Sequence, residues 1–135
     1  MIGKVIRKLR NKLIKEQDLT DLIKKGLVGG KNFSMQKGCI IDSSHCWLIE
    51  IGDNVALAPR VHILAHDAST KFALGYAKIG RVEIGNNVFI GANTTILPNI
   101  KIGNDVIIGA NSLVSKNVLD NSVIARKSSK SNKYL

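Results

Sequence analysis

The residues of this chain that are suited to chemistry near neutral pH are its three histidines, His45, His62 and His66. A neutral imidazole, with a reference pKa of about 6.5, can remove a proton from a hydroxyl group as that hydroxyl attacks a carbonyl carbon. His66 begins a polar stretch directly after an aliphatic one, where we expect the chain to leave a regular element and form a protruding loop. Catalytic groups tend to lie on such loops when a rigid scaffold holds them. His66 is therefore the leading candidate for a general base.

The other polar candidates near His66 are weaker. Asp67 follows it directly, but adjacent side chains of an extended segment point to opposite faces, so we do not expect Asp67 to hold the imidazole. His62 is interpreted either as a residue that orients a substrate or as part of a subunit boundary. His45 stands in an irregular stretch, and we expect it to be an ordinary packing residue.

A six-residue repeat runs through residues 84–118, and it has to position these side chains. Each copy opens with an aliphatic residue, usually continues with a small one, and carries Val, Ile, Thr or Ser four positions after the opener. A strand would alternate with a period of about two and a helix with a period of about 3.6, so the repeat fits neither. It fits a parallel β-helix, in which each hexad forms one flat side of a coil and openers stack on openers. The sequence therefore predicts an all-β solenoid.

The repeat extends upstream with two interruptions. Residues 51–63 share one phase, but 21 residues separate Ile63 from Ile84, three more than a multiple of six. A loop expelled between His66 and about residue 78 explains this slip. Before residue 51 the pattern is looser, and we expect a slip or small bulge within residues 43–47. Gly and Asn suit the corners between hexads, because both tolerate the positive φ that tight turning demands.

The hexads resemble those of the hexapeptide-repeat acyltransferases, which fold as a left-handed parallel β-helix. The resemblance covers about residues 28–125. Within it, four segments are similar to the galactoside, maltose and polysaccharide O-acetyltransferases: Ile51-Gly52-Asp53-Asn54, Ala58-Pro59-Arg60-Val61-His62-Ile63, the loop that begins at His66, and Val88-Phe89-Ile90-Gly91-Ala92.

This resemblance implies an acetyl-coenzyme A-dependent O-acetyltransferase that modifies a hydroxyl group of a sugar or surface-glycan precursor. His66 then takes the place of the general base, and Asp42 and His62 are assigned to the acceptor side. Four residues match positions that line coenzyme A in the sugar acetyltransferases: Ala92, Ala110, Ser115 and Lys116. The resemblance also implies a homotrimer with a small-molecule or glycan acceptor, and no metal ion.

Two other functions stay open. A serine O-acetyltransferase would share the coil and the base, but residues 1–26 are too short for the large helical N-terminal region of those enzymes. A non-catalytic β-helical binding or assembly protein is favoured by departures from the family pattern. Relatives usually carry Gly where Asn111 stands, Asp-Ile-Pro in place of residues 117–119, and a Gly-Asn-Pro-Ala turn in place of the polar residues that end this chain. A zinc site like that of the β-helical carbonic anhydrases is not expected, because the spacing of the histidines differs.

The two ends of the chain differ from the repeat. Residues 1–27 are interpreted as a basic amphipathic helical segment whose apolar stripe caps the open end of the β-helix or packs on a partner subunit. These two interpretations are preferred to a segment that lies on a membrane surface. Within it, Asp18 is the predicted N-cap of a second short helix that stops at Gly26. Residues 28–125 form the β-helix domain. Residues 126–135 form a basic tail in which we expect little regular structure.

Composition favours one cytoplasmic domain. Aromatic residues make up only 4% of the chain, fewer than the core of a sandwich or bundle normally uses. The formal net charge of +10 is concentrated near the termini and is not interleaved with stacking aromatics, so nucleic acid is not an expected partner. No segment approaches the about 20 apolar residues that span a bilayer, and a secretory signal is not expected. Cys39 and Cys46 are interpreted as reduced, small apolar residues of the coil.

Overall fold

The six-residue repeat folds into a left-handed parallel β-helix, as predicted. The computed structural model describes residues 1–13 and 16–125, so the predicted basic tail, residues 126–135, lies outside the described residues. The helices are α1 (Ile2–Leu13), α2 (Leu19–Lys24) and α3 (Lys71–Leu74). The strands are β1 (Val28–Gly29), β2 (Ser34–Met35), β3 (Ile40–Ile41), β4 (Ile49–Ile51), β5 (Val55–Leu57), β6 (His62–Ile63), β7 (His66–Asp67), β8 (Lys78–Ile79), β9 (Val82–Ile84), β10 (Val88–Ile90), β11 (Thr95–Ile96), β12 (Lys101–Ile102), β13 (Val106–Ile108), β14 (Leu113–Val114) and β15 (Val123–Ile124).

Three parallel sheets form the three flat faces of the β-helix. Face A contains β1, β4, β9 and β12, face B contains β2, β5, β10, β13 and β15, and face C contains β3, β6, β11 and β14. Each coil contributes one strand to each face in the order A, B, C. Where the repeat is uninterrupted, as from Val88 to Val106, partners in neighbouring coils are 18 residues apart, which is three hexads.

The core is the stack of hexad openers inside the coil. Ile90, Ile96, Ile102 and Ile108 are all 1% exposed or less. Within a strand the side chains alternate, so β13 buries Val106 and Ile108 and exposes Ile107. Burial of one such side chain contributes about 1.5–3 kcal/mol, and a buried opener packs mainly on the coils above and below it. The stability of each coil therefore depends on its neighbours.

The corners between faces are made by residues with left-handed backbone conformation, most of them Asn. The non-glycine residues with positive φ are Asn32, Asn54, Arg60, Asn87, Asn93, Asn99, Asp105, Asn111 and Asn121, with φ between 54° and 64°. At the corner from face A to face B their side chains form a ladder in which Asn32 Nδ2 donates to Asn54 Oδ1 (3.0 Å), Asn54 to Asn87 (3.1 Å) and Asn87 to Asp105 (3.0 Å). Asn tolerates this conformation better than most residues, which explains how Asn111 can stand where relatives carry Gly.

All three breaks of the 18-residue period fall at the corner from face C to face A. The coil gains four residues between β3 and β4, because Val28 pairs with Glu50, which is 22 residues later instead of 18. The 3₁₀ helix Cys46–Leu48 lies in this longer segment. Between β6 and β9 the chain leaves the coil, so that Ile49 pairs with Val82, 33 residues later. After β14 the coil is two residues short, and Ile102 bridges to Val118. The bulge and the expelled loop predicted from the sequence are thereby confirmed.

The expelled segment is an ordered hairpin, here named the excursion loop (residues 64–80). Its base is the antiparallel pair β7 and β8, in which His66 lies opposite Ile79. Its tip holds the short helix α3, which ends at Gly75 with a left-handed φ of 77°. His66 is therefore placed at the point where the chain leaves face C.

The open N-terminal end of the β-helix is capped by α2 and the residues around it. Asp18 is the N-cap, as predicted, and its Oδ1 accepts a hydrogen bond from the backbone N–H of Thr20 (2.9 Å). Leu22 is 2% exposed and packs into the core. The side-chain amide of Gln17 pairs with the backbone of Ile41 like a further strand residue, donating to its carbonyl (2.7 Å) and accepting from its N–H (2.6 Å). The edge of face C is thus closed by one side chain.

The sequence had suggested that helix α1 also takes part in this cap, but it does not. Its apolar residues Ile2, Val5, Ile6 and Leu9 are 53–77% exposed. The amphipathic pattern of residues 1–27 therefore describes two different helices, and α2, rather than α1, gives the core its capping leucine. In the described part of the chain no helix has both the length and the apolar character needed to cross a membrane.

Candidate functional site

The carboxylate of Asp42 is the centre of the candidate active site. Asp42 directly follows β3, and its side chain is 2% exposed. Its Oδ2 accepts hydrogen bonds from the backbone N–H groups of Ala65 (3.1 Å) and His66 (3.0 Å) and from the ring Nδ1 of His66 (2.5 Å). Asp42 of the first coil thereby holds His66, the residue at which the second coil leaves face C.

The second oxygen of Asp42 is held by the bulge between β3 and β4. Oδ1 accepts from the N–H of Ser44 (3.1 Å), the hydroxyl of Ser44 (2.8 Å) and the N–H of His45 (3.2 Å). Burial by itself would raise the pKa of Asp42, but the hydrogen bonds from His66, Ser44 and Ala65 outweigh it and lower the pKa to about 2. Asp42 is therefore an ionised carboxylate at neutral pH and can only accept hydrogen bonds.

The ionised carboxylate decides which nitrogen of His66 carries the proton. Because Asp42 only accepts, Nδ1 of a neutral His66 ring must donate to it, and the lone pair is left on Nε2. The His66 side chain is 37% exposed, so part of the ring is accessible while Asp42 holds Nδ1. This arrangement suits a general base that takes a proton from a bound hydroxyl group.

A second imidazole lies against the first. The ring centroids of His45 and His66 are 4.7 Å apart, and the ring centroid of Trp47 lies 5.2 Å from that of His45. Since the Ser44 hydroxyl donates its proton to Asp42, its oxygen accepts from Nδ1 of His45 (3.0 Å). Both histidines are thus oriented through one carboxylate. His45 had been expected to be an ordinary packing residue, and the structure places its ring against that of the candidate base.

Among the described residues, the side chains that gather as a possible metal site are Asp42, His45 and His66, whose ligand atoms lie within 4.8 Å of one another. The hydrogen bonds that fix both imidazoles already occupy Asp42 and the Nδ1 atoms, so this donor set fits a proton-transfer site better than a metal centre. His62 lies on face C, where its strand partners are Ile40 and Thr95, and it does not join the cluster.

The residues predicted to line coenzyme A lie at both ends of face C. Ala92 and Ala110 are neighbours in successive coils at the corner from face B, where Asn111 N–H donates to the carbonyl of Ala92 (2.8 Å). Ser115 and Lys116 follow β14 at the opposite corner. Ser115 lines a groove of about 560 Å³ under the excursion loop, with the other walls formed by Asp67, Ala77, Lys78, Ile79, Leu97, Pro98 and Asn99. The structure therefore gives these four residues two separate locations on one face.

The contact between Asp42 and His66 is the feature that sequence reasoning missed. Asp42 had been assigned to the acceptor side, and its assignment to the acceptor stays a prediction. In the structure its carboxylate accepts hydrogen bonds from His66, from Ser44, and from the backbone of Ala65 and His45. Residues 42 and 66 are 24 positions apart, and only the 22-residue coil between Ile41 and Ile63 makes them neighbours. Asp67, as expected, does not hold the imidazole, since its Oδ1 accepts from the N–H of Ser69 (2.9 Å).

Comparison with known proteins places the repeat in a family. Residues 81–116 match the model described as "Bacterial transferase hexapeptide (six repeats)". The chain is 47% identical over 91 residues to protein CapG of Staphylococcus aureus, a match that covers 64% of this chain and 53% of CapG. It is 41% identical over 76 residues to the putative acetyltransferase YvoF of Bacillus subtilis (strain 168), covering 56% of this chain and 42% of YvoF.

A solved structure gives the same result for the fold. The maltose O-acetyltransferase of Clostridium difficile 630 superposes with a TM-score of 0.64 at 40% identity, covering 75% of this chain and 55% of that enzyme. The chain spans about half the length of the relatives that it matches. With the three-hexad coil, the family match and these similarities in agreement, the chain belongs to the hexapeptide-repeat transferase family.

Proposed function

We propose that this protein is an O-acetyltransferase that moves an acetyl group from acetyl-coenzyme A to a hydroxyl group of a sugar or surface-glycan precursor. The observation that carries the proposal is the His66 ring, which a buried, ionised Asp42 fixes through Nδ1, with the lone pair on Nε2 and the side chain 37% exposed. Similarity to a maltose O-acetyltransferase and to a putative acetyltransferase supports the acetyl chemistry. A cytoplasmic location agrees with this donor.

In the proposed reaction, Nε2 of His66 takes the proton of the acceptor hydroxyl while that oxygen forms a bond to the acetyl carbonyl carbon. The bond from this carbon to sulfur then breaks, coenzyme A leaves as the thiolate, and the proton on His66 returns to it. Asp42 keeps the ring in the productive tautomer throughout and stabilises the imidazolium form. The chemistry thus needs only one exposed base on a rigid support.

The two locations of the predicted coenzyme A residues suit a long, narrow ligand. Ala110 and Ser115 lie at opposite ends of the segment that crosses face C through β14. They are at most about 16 Å apart, the length of five residues in extended conformation. A pantetheine arm laid along this face would run from the corner of Ala92 and Ala110 to the groove under the excursion loop, close to where His66 leaves the coil. Lys116 is exposed beside that groove and is suited to bind a phosphate group.

The aromatic side chain of Trp47 favours a sugar as the acceptor. Trp47 is 56% exposed, although its ring lies against His45 next to the base. Ring-shaped ligands with apolar C–H faces bind well to such amphipathic aromatic surfaces, whereas serine offers no comparable face. The serine acetyltransferase alternative has no such specific observation in its favour.

A homotrimer remains part of the proposal, and the outer surfaces of the faces suggest which one is shared. The outward row at the centre of face B begins with the polar Ser34 and continues with the apolar Ala56, Phe89, Ile107 and Val123. The equivalent row of face A begins with Val28 and continues with the charged Glu50, Glu83 and Lys101. We assign the contact with a second copy to face B, which would place a neighbouring wall beside the acceptor and donor surfaces of face C.

The first prediction tests the base. Replacing His66 by alanine should lower the turnover number by about 10²- to 10⁴-fold, because no base then takes the proton of the acceptor hydroxyl. The control is Glu50→Ala on face A, which should stay within about threefold of the wild type since Glu50 lies outside the cluster. Turnover is measured as thiol release from acetyl-coenzyme A with a panel of sugars and serine. Full activity in His66→Ala, or no release with any acceptor, would contradict the proposal.

The second prediction concerns acid stability. The pKa of Asp42 is about 2 in the folded protein against an ordinary value of 3.8, so its ionised form stabilises the fold above pH 4. This contribution, about 2 kcal/mol, should be lost as the pH falls from about 4 to about 2. Denaturant unfolding of Asp42→Asn should lack this pH-dependent loss, whereas Asp67→Asn should keep it. An identical pH dependence in Asp42→Asn and wild type would rule out the assignment.

The third prediction tests the acceptor surface. Replacing Trp47 by alanine should raise the KM for a sugar acceptor by about tenfold, with the KM for acetyl-coenzyme A nearly unchanged, because only the stacking surface is removed. Trp47→Phe keeps an aromatic ring and should recover most of the affinity. The assignment of Trp47 to a sugar-binding surface would be wrong if both variants bind the acceptor like the wild type, or if serine is the preferred substrate.

The fourth prediction tests the assembly. Phe89→Glu puts a charge into the apolar stripe of face B and should shift the protein from trimer to monomer in sedimentation, weakening association by at least about tenfold. Lys101→Glu changes charge at the centre of face A and is the matched control, which should remain trimeric. Mixing inactive His66→Ala with a variant defective in coenzyme A binding should restore activity if neighbouring copies share a site. A wild-type monomer of full activity would refute this assembly.

A further inference from the structure

Helix α1 presents an apolar stripe that the β-helix does not cover. Ile2, Val5, Ile6 and Leu9 recur at the three- and four-residue spacing that places them on one side of the helix, and they are 53–77% exposed. The core has its own cap in Leu22 of α2. Apolar side chains in such a row are normally covered by another surface, so the occupant of this stripe has to be identified.

The charges of the same segment indicate the chemistry of that occupant. Residues 1–15 contain no Asp or Glu and six basic residues: Lys4, Arg7, Lys8, Arg10, Lys12 and Lys15. In helical projection Lys4 and Lys8, which the structure describes, fall beside and opposite the apolar stripe. A partner surface therefore has to supply both an apolar layer and negative charge on either side of it. A sheet of anionic lipid has this composition, with acyl chains below a layer of phosphate groups.

Two other occupants fit less well. A second copy of α1 would bring another six basic residues against the first six, and like charges repel. A membrane-spanning arrangement would need a helix of about 30 Å, whereas the 12 residues of α1 extend over about 18 Å. The length suits a helix that lies parallel to a surface.

We propose that α1 binds the protein to anionic lipid surfaces, with the stripe of Ile2, Val5, Ile6 and Leu9 inserted at the boundary between headgroups and acyl chains. The exposed side chains of Lys4 and Lys8 contact the lipid phosphates. The proposal depends on α1 alone and is independent of the proposed acetyl transfer. If both hold, the enzyme modifies its acceptor close to a membrane surface.

The test is flotation of the full chain with vesicles of phosphatidylcholine alone and of phosphatidylcholine mixed with phosphatidylglycerol. The protein should float with the anionic vesicles, and binding should weaken as salt shortens the screening length from about 8 Å at 0.15 M to about 3 Å at 1 M. Ile6→Asp combined with Leu9→Asp should weaken binding at least about tenfold. Phe72→Asp, which alters a more exposed apolar residue, an aromatic on the tip of the excursion loop, should bind like the wild type.

A further variant separates charge from insertion. Lys4→Glu combined with Lys8→Glu keeps the apolar stripe and should lose the preference for anionic over neutral vesicles. Thermal unfolding of the β-helix should be the same in all these variants, because the substituted side chains lie outside the core. The proposal is overturned if the wild type floats with neither kind of vesicle, if the two-aspartate variant floats like the wild type, or if α1 substitutions dissociate an oligomer without any effect on vesicles.

Discussion

The constraint on which the rest of this structure depends is the register of one coil on the next. Strands of two or three residues are too short to be stable alone, and their backbone groups bond almost entirely to the coils above and below. Because the hydrogen bonds and the stacked Ile and Val side chains share one period, a change of phase anywhere would move buried side chains to the outside. A change of length has to be absorbed where the chain turns.

In the described coils all changes of length fall at one corner, and this is why the candidate site lies there. The four extra residues after β3 carry Ser44, His45 and Trp47, and the excursion after β6 carries His66. The two interruptions lie in adjacent coils, so the irregular parts of the chain meet in space while the faces on both sides stay regular. Asp42 joins them, since one of its oxygens binds each interruption. A rigid repeat thus supplies precise positions for residues that are not part of the repeat.

Much of this could be predicted from the sequence, and the failures have a common cause. The hexads predicted the coil, the phase slip from Ile63 to Ile84 predicted the excursion loop, and polar residues at its start singled out His66. The partner of His66 could not be predicted, because the number of residues in the bulge was unknown and the pairing of Asp42 depends on it. The exposed stripe of α1 was misjudged for a different reason. An amphipathic pattern reports that a helix has an apolar side, but it carries no information on what lies against that side.

The ladder of side chains at the corner from face A to face B gives the solenoid a direction. Asp105 is its last member, and a carboxylate only accepts, so Asn87 has to turn its amide nitrogen towards it. The oxygen of Asn87 is then left for Asn54, and that of Asn54 for Asn32. One acidic residue in the fourth coil therefore orients three amides in the coils before it. If a coil with Asn at this corner were added before Asn32, its amide could join the ladder in the same direction. A coil inserted after Asp105 would have to begin a new ladder.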